Sequence, residues 1–303
     1  MAVVVLGSIN LDLIARIARV PKAGETGLAD SMTTSPGGKG ANQALAAQRM
    51  GASTSMLGMV GEDAFAMQAL KYLRQDGVDL TRIGVSRDNP TGLAMIVVEE
   101  SGQNAITVVP GANRAMDTKV LGDLSAVLSS SDILVMQLEI PFDIVERAIA
   151  LAKRVRARII LDPAPATNRL PKSFYRVDIL VPNQFEAETL LGAGAITDVR
   201  SAKAAARQLR ARGAEIAIVK LGEMGVVWAT SRGLFYLAGE TVKAVDAVGA
   251  GDAFAGALAA RLNAKDALSD AIRWANRAAA QSTTKPGAQP SFPFFTDLEK
   301  ASH

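Results

Sequence analysis

Val245 to Leu258 reads VDAVGAGDAFAGAL, and the reading of this stretch decides how the rest of the chain folds. A β-type run, Thr241 to Val245, leads into it and breaks at Gly249-Ala250-Gly251. An apolar helical face then begins, with Phe254, Ala257, Leu258 and Leu262 recurring at spacings of three and four. Glycines at such a junction let backbone N–H groups crowd a charged ligand at a helix N-terminus. Asp252 falls where the helix starts, so a turn able to neutralise a phosphate also presents a base to whatever attacks that phosphate. Read alone, the same stretch serves equally as a tight strand-to-helix turn capped by Asp252.

Composition narrows the choice. The 303 residues are 49% hydrophobic and 21% charged, an ordinary globular balance with enough apolar material for a large core. A net charge of +3, spread over 33 basic and 30 acidic residues, is too small and scattered to point to nucleic acid but suits small anionic ligands. There is no cysteine, so disulfides, thiolate nucleophiles and Cys-ligated zinc are excluded. The one histidine is the last residue, His303, which removes a Ser-His-Asp triad, a histidine base and a histidine-ligated metal. Catalysis must then rest on carboxylates, lysine, arginine or backbone. The leading MAVVVLGSINLD lacks the pattern of a signal peptide, and no apolar run approaches membrane-spanning length. The expectation is a soluble cytoplasmic protein without a nucleic-acid or membrane partner.

Upstream, Val3 to Gly7 is a continuous apolar run ended by glycine, which suits a buried strand of a parallel sheet. Asn10 and Asp12 follow two residues apart, on one face of an extended chain. Ala15 to Pro36 reads as short exposed strands. Gly37-Gly38-Lys39-Gly40-Ala41-Asn42-Gln43-Ala44 then forms a diglycine turn at a helix start. It fails the Walker A pattern, because Thr33 stands where the first glycine belongs and Gly40 where Ser or Thr belongs. Next come a strand from Met56, a helix over Phe65 to Asp76, and strands Ala94 to Val98 and Ala105 to Val109 joined by the hairpin turn EESGQN. With Ala15 to Pro36 they make a small β-lid lined by Ala94, Ile96 and Val108.

From Ile133 onward strands and helices alternate, which predicts a parallel sheet covered on both faces. The strands are Ile133 to Met136, Ile159 to Leu161, Ile179 to Val181 and Ile216 to Val219. The helices are Ile144 to Val155, Phe185 to Leu191 and Ala202 to Arg212. Polar residues punctuate the strand ends: Glu139, Asp162, Asn183 with Glu186, Lys220 and Asp246. Ligands are expected at that edge. A hairpin of Val226 to Trp228 and Leu234 to Leu237, a helix over Ala271 to Ala280 and a Pro- and Gly-rich loop, Lys285 to Ser291, complete the chain.

The pair GGKGANQA (37 to 44) and DAVGAGDAF (246 to 254) resembles the two signatures of the ribokinase family of carbohydrate kinases. Two motifs of this length in the right order, about two hundred residues apart, are far more specific than a lone glycine pattern. The likeness runs from GSINLD at 7 to 12 through PGAN at 110 to 113, MQLEIP at 136 to 141 and PAPA at 163 to 166 to GAQPS at 287 to 291. It implies an α/β fold, a parallel-type sheet with helices on both faces plus a small β-sheet lid. Residues 1–9, 38–90 and 110–303 would form the α/β domain, and 10–37 with 91–109 a lid that joins two copies in a homodimer. The implied reaction is ATP-dependent phosphorylation of the 5-hydroxyl of ribose. By matching motif positions, Asn10, Asp12, Gly38, Lys39, Asn42 and Glu139 would hold the sugar. Asp252 would be the base, and Gly249, Ala250 and Gly251 the anion hole. Asn183 and Glu186 would serve phosphate and Mg2+, and Lys220, Gly222, Gly225 and Asn276 the nucleotide. A monovalent cation, K+, is implied near Asp246, Val248, Ser282, Lys285, Gly287 and Ser291. Lys220 stands where many members have Thr, Pro286 interrupts the loop before Gly287, and Lys285 and Ser282 differ from the residues expected at the cation loop.

The implied chemistry agrees with the composition. A sugar hydroxyl is a poor nucleophile, and without histidine or cysteine a carboxylate must take its proton. Paired acids and amides suit a polyol, whose buried hydroxyls each need a donor and an acceptor. The alternatives are a kinase of the same fold for deoxyribose, fructose or adenosine, and a non-catalytic sugar or nucleotide sensor. A dehydrogenase is disfavoured, because Gly7 is not followed by a dinucleotide fingerprint.

Overall fold

A computed structural model describes residues 1–99, 101 and 103–300. Glu100 and Gly102 of the EESGQN turn, and His303, lie outside the described residues. The first half of the chain gives β1 (Val3–Leu6), β2 (Asn10–Ile17), β3 (Ser31–Gly37), α1 (Lys39–Arg49), β4 (Thr54–Gly61), α2 (Ala64–Ala69), α3 (Lys71–Gln75), β5 (Ile83–Ser86), β6 (Gly92–Glu99), β7 (Asn104–Val109), α4 (Lys119–Val127), β8 (Ile133–Met136) and α5 (Phe142–Val155). The second gives β9 (Arg158–Leu161), β10 (Ile179–Leu180), α6 (Gln184–Leu191), α7 (Val199–Ala211), β11 (Ile216–Lys220), β12 (Val226–Thr230), β13 (Gly233–Leu237), α8 (Ala250–Asn263), α9 (Leu268–Ser282) and α10 (Phe295–Lys300).

Nine strands form one sheet in the order β13-β12-β11-β10-β9-β8-β1-β4-β5. All pairs are parallel except β11 with β12 and β12 with β13. The apolar runs are continuous because both sheet faces are covered. Val3 and Val5 join one core with α1, α8 and α9, while Val4 and Leu6 join the other with α4, α5 and α7. The chain builds outward from β1 through β4 to β5, then crosses back to place β8 on the other side of β1. The strand order therefore reverses between β1 and β8, and in open α/β sheets the crevice at such a point is where ligands bind.

A second sheet, β3-β2-β6-β7, stands apart from the first. Its register aligns Asp12 with Ala94 and Ala94 with Val108, and likewise Ile14 with Ile96 and Ile96 with Ile106, so these residues share a face.

The structure corrects four expectations. Thr241 to Val245 is not a strand: most of it is exposed, and Val245 N–H donates to Thr283 O rather than to a ladder. Asp246 consequently follows no strand of the sheet and belongs to a loop. The helix over Phe65 to Asp76 divides at Leu70, which at φ −91°, ψ 3° ends α2 and starts α3. Helices α4 and α10 are additional; α4 covers the core around Leu124 and Leu128.

Candidate active site

Two glycines make the site's turns possible. Gly38, at φ 86°, precedes α1, and a Cβ on it would come within 2.7 Å of Asn10 N. The chain leaving the lid can therefore fold tightly over β2 only with glycine there. Gly249, at φ 80°, is the residue before α8. Asp252 then lies in the first turn of α8, almost completely buried at 6% exposure. Burial raises its pKa, Lys39 opposes that shift, and Asp162 adds to it. A carboxylate with a raised pKa is a better proton acceptor than an ordinary one.

Asp252 is gripped by α1. Asn42 Nδ2 donates to its Oδ2 at 2.9 Å and Gln43 Nε2 to its Oδ1 at 3.0 Å. Gln43 Nε2 also donates to Asp162 Oδ2 at 2.8 Å, and Gln43 Oε1 accepts from Gln137 Nε2 at 2.6 Å. From the other side, Gln289 Nε2 donates to Asn42 Oδ1 at 3.1 Å. Asn113 orders the start of the lid strand: its Nδ2 donates to Asn10 Oδ1 at 2.8 Å, and its Oδ1 accepts Ile9 N–H at 2.8 Å. Glu139 Oε2 accepts from Ser8 Oγ at 2.5 Å and from Lys39 N–H at 3.2 Å. Gln43, Gln137 and Asn113 have no role in the sequence reading. Gln43, Gln137 and Asn113 stood inside quoted motifs, but an amide that shapes a site through hydrogen bonds leaves no spacing signal of its own.

Of the residues expected to hold the sugar, Asn42 is bonded to Asp252, and Asp12 and Lys39 lie within its electrostatic reach. Asp12 has its pKa raised to about 7, by burial first and then by Glu139 and Asp252. Burial alone would lower the pKa of Lys39, but Asp252, Asp162, Glu139 and Glu186 outweigh it and hold the ammonium charged. A cavity of about 590 Å³ opens beside this cluster, lined by Asn10, Val108, Asn113, Arg114, Glu139 and Phe142 among others. It runs from the lid to the end of β8.

A second cavity, of about 470 Å³, is lined by Asp252 itself. Gly249, Ala250, Gly251, Lys39, Asn183, Glu186, Lys220, Gly222, Gly225 and Asn276 all line it. Asn183 and Glu186 form a capping box at the start of α6, Glu186 accepting from Asn183 N–H at 2.7 Å and from its Nδ2 at 2.9 Å. Burial and Asp162 raise the Glu186 pKa, and Lys220 opposes them. Asp246 ties two loops together, accepting Val248 N–H at 3.0 Å and Gly287 N–H at 2.8 Å. Ser282 Oγ donates to Ala279 O at 2.8 Å and Ser291 Oγ to Ala288 O at 2.7 Å, while Lys285 is exposed. Among the described residues no helix is long and apolar enough to cross a membrane.

A buried carboxylate, Asp252, shares the wall of one cavity with the glycine turn Gly249-Ala250-Gly251, and a second cavity is lined by Asn10 and Glu139; a carboxylate beside a helix N-terminus is suited to phosphoryl transfer. Known proteins agree. A ribokinase of Haemophilus influenzae is 37% identical over 95% of this chain and 94% of its own length. A deoxyribokinase of Salmonella typhi is 35% identical over 97% of this chain and 96% of its own. The structure of Arabidopsis thaliana ribokinase complexed with ribose and ATP superposes with a TM-score of 0.91 at 30% identity, covering 99% of this chain and 97% of that one. Residues 2–294 match the pfkB family carbohydrate kinase. The chain is a member of the pfkB family of carbohydrate kinases.

Proposed function

We propose that this kinase transfers the terminal phosphoryl group of ATP to the 5-hydroxyl of D-ribose, giving ribose 5-phosphate and ADP. The observation that carries the reading is Asp252, buried in the first turn of α8 and lining the same cavity as Gly249, Ala250 and Gly251. The sugar lies between Asn10, Asp12, Gly38, Lys39, Asn42 and Glu139, whose acids and amides pair with its hydroxyls. Asp252 takes the proton of the attacking hydroxyl, worth on the order of a hundred- to ten-thousandfold in rate. The N–H groups of Gly249, Ala250 and Gly251, together with the helix dipole, stabilise the charge that develops on the phosphoryl oxygens.

Mg2+ fits the nucleotide cavity as a guest of the phosphates. Among the described residues no cluster of three or more acidic or histidine side chains could hold a metal alone. One carboxylate, Glu186, with Asn183 beside it, suits an ion that keeps its waters and phosphate oxygens. When bound, the ion neutralises phosphate charge. K+ would sit near the loops joined by Asp246, where that carboxylate accepts the N–H groups of Val248 and Gly287, with several of Val248, Ser282, Lys285, Gly287 and Ser291 contributing carbonyl oxygens; bound there, it would stiffen the base of the anion turn.

An ADP-release assay over ribose, 2-deoxyribose, fructose and adenosine, with and without K+, tests the proposal. Ribose should turn over best, and Asp252→Asn should lower kcat on the order of a hundredfold or more. Ribose no better than fructose or adenosine overturns the assignment. The deoxyribokinase relative gives a second reading its place, and 2-deoxyribose exceeding ribose would establish it.

A further inference from the structure

Lys220 ends β11 with its side chain 12% exposed, facing the nucleotide cavity. Its Nζ lies 3.3 Å from Asp162 Oδ1, long for a hydrogen bond between opposite charges, which usually closes to about 2.7–2.9 Å. Asp162 is already satisfied on its other oxygen by Gln43 at 2.8 Å. An ammonium carries three N–H donors, so the pair leaves Lys220 with donors to give to an incoming acceptor. Those donors sit beside the anion turn: a Cβ placed on Gly251 would be 3.3 Å from Lys220 Nζ. Three carboxylates, Asp162, Glu186 and Asp252, line the same cavity with two lysines, Lys39 and Lys220, and positive charge there favours the approach of a polyphosphate.

We propose that Lys220 is a catalytic residue whose ammonium, aimed by Asp162, contacts the transferred phosphoryl group across the open face of Gly251. The proposal rests on the kinase reading and assigns to this one lysine a part of the transfer step. The sugar oxygen bonds to the terminal phosphorus while its proton passes to Asp252. The bond from that phosphorus to the bridging oxygen breaks, and its electron pair leaves on ADP. Lys220 keeps its protons throughout and supplies positive charge to the phosphoryl oxygens in transit. Asp162 is a positioning residue, acting only through Lys220 and Gln43.

Calorimetric titration of the full chain with adenosine, ADP and a non-hydrolysable ATP analogue, in wild type, Lys220→Met and Lys220→Arg, tests the assignment alongside steady-state turnover. In Lys220→Met, adenosine affinity should hold within about twofold, analogue affinity should fall about tenfold, and kcat should fall on the order of a hundredfold with ribose KM little changed. Lys220→Arg should recover part of the kcat, because it keeps the charge. Equal losses for all three ligands would make Lys220 a structural prop and overturn the proposal. So would unchanged kcat and analogue affinity. If the methionine variant does not fold, Lys220→Gln carries the same measurements. Failure of the wild type to turn over ribose would sink the sugar assignment and leave the three-ligand comparison readable.

Discussion

Asp12 and Asp252 show how the same residue type is tuned to different tasks by its surroundings. Both are pushed up by burial, but Asp252 accepts amides from α1 on both oxygens and stands in the first turn of a helix. Asp12 titrates at about 7, well above an ordinary carboxylate. Between about pH 4 and that value the folded chain retains a proton the unfolded chain has lost, so the fold loses stability as pH rises through the window. Asp12→Asn should therefore melt higher than wild type at pH 8, with the lead shrinking by pH 5, and should bind ribose more weakly. Thermal unfolding at the two pH values checks the first, and titration with ribose the second. A lead that is the same at both pH values would mean that Asp12 carries no such strain.

At the scale of elements, the position of the base depends on how closely α8 approaches α1. Gly256 makes the approach possible, since a Cβ there would come within 2.4 Å of Gln43 O and 2.6 Å of Ala46 Cβ. Alanine in a helix interior normally gains about 1 kcal/mol over glycine. Here the methyl would meet backbone, so overpacking should win and Gly256→Ala should destabilise by about 1–3 kcal/mol. It should also lower kcat, because Asn42 and Gln43 shift with α1. Urea unfolding and turnover measure both, and a stabilised, fully active variant would refute the close-packing account. The same pair of helices shows what the sequence carries. Its apolar periodicities locate α1 and α8, and the strand ends at Glu139, Asp162, Asn183 and Lys220 locate the site's edge. The grip of Gln43 on two carboxylates, the clasp of Asn113 on Asn10 and the loop that replaces a strand at Thr241 to Val245 are not legible there. Each depends on what another part of the chain brings alongside: Thr283 O captures Val245 N–H, and no spacing within 241 to 245 foretells it.

For the whole molecule, the exposed lid face is the unfinished part. Ile106 is 56% exposed and Val108 49%, on the face shared with Asp12 and Ala94, and Val108 also lines the cavity beside Asn10 and Glu139. Apolar residues arranged in register on a free sheet face favour a second copy as cover. A homodimer through the lid is accordingly proposed, and Ile106→Lys should convert it to monomer in sedimentation equilibrium with a raised ribose KM. A wild-type chain that sediments as a monomer at micromolar concentration would reject this.

Helix α8 is enclosed on every side: Asp252 through Ala260 and Leu262 are all buried. Asp252 is consequently held by packing along the length of its helix as well as by the amides of Asn42 and Gln43. If it is the proposed base, the reactants have to be brought to it by the residues that line the cavities, because it is fixed from within the fold. A change of acceptor is then expected from substitutions among the cavity-lining residues of the second sheet and of the β8 end, such as Val108 and Phe142, and not from α8.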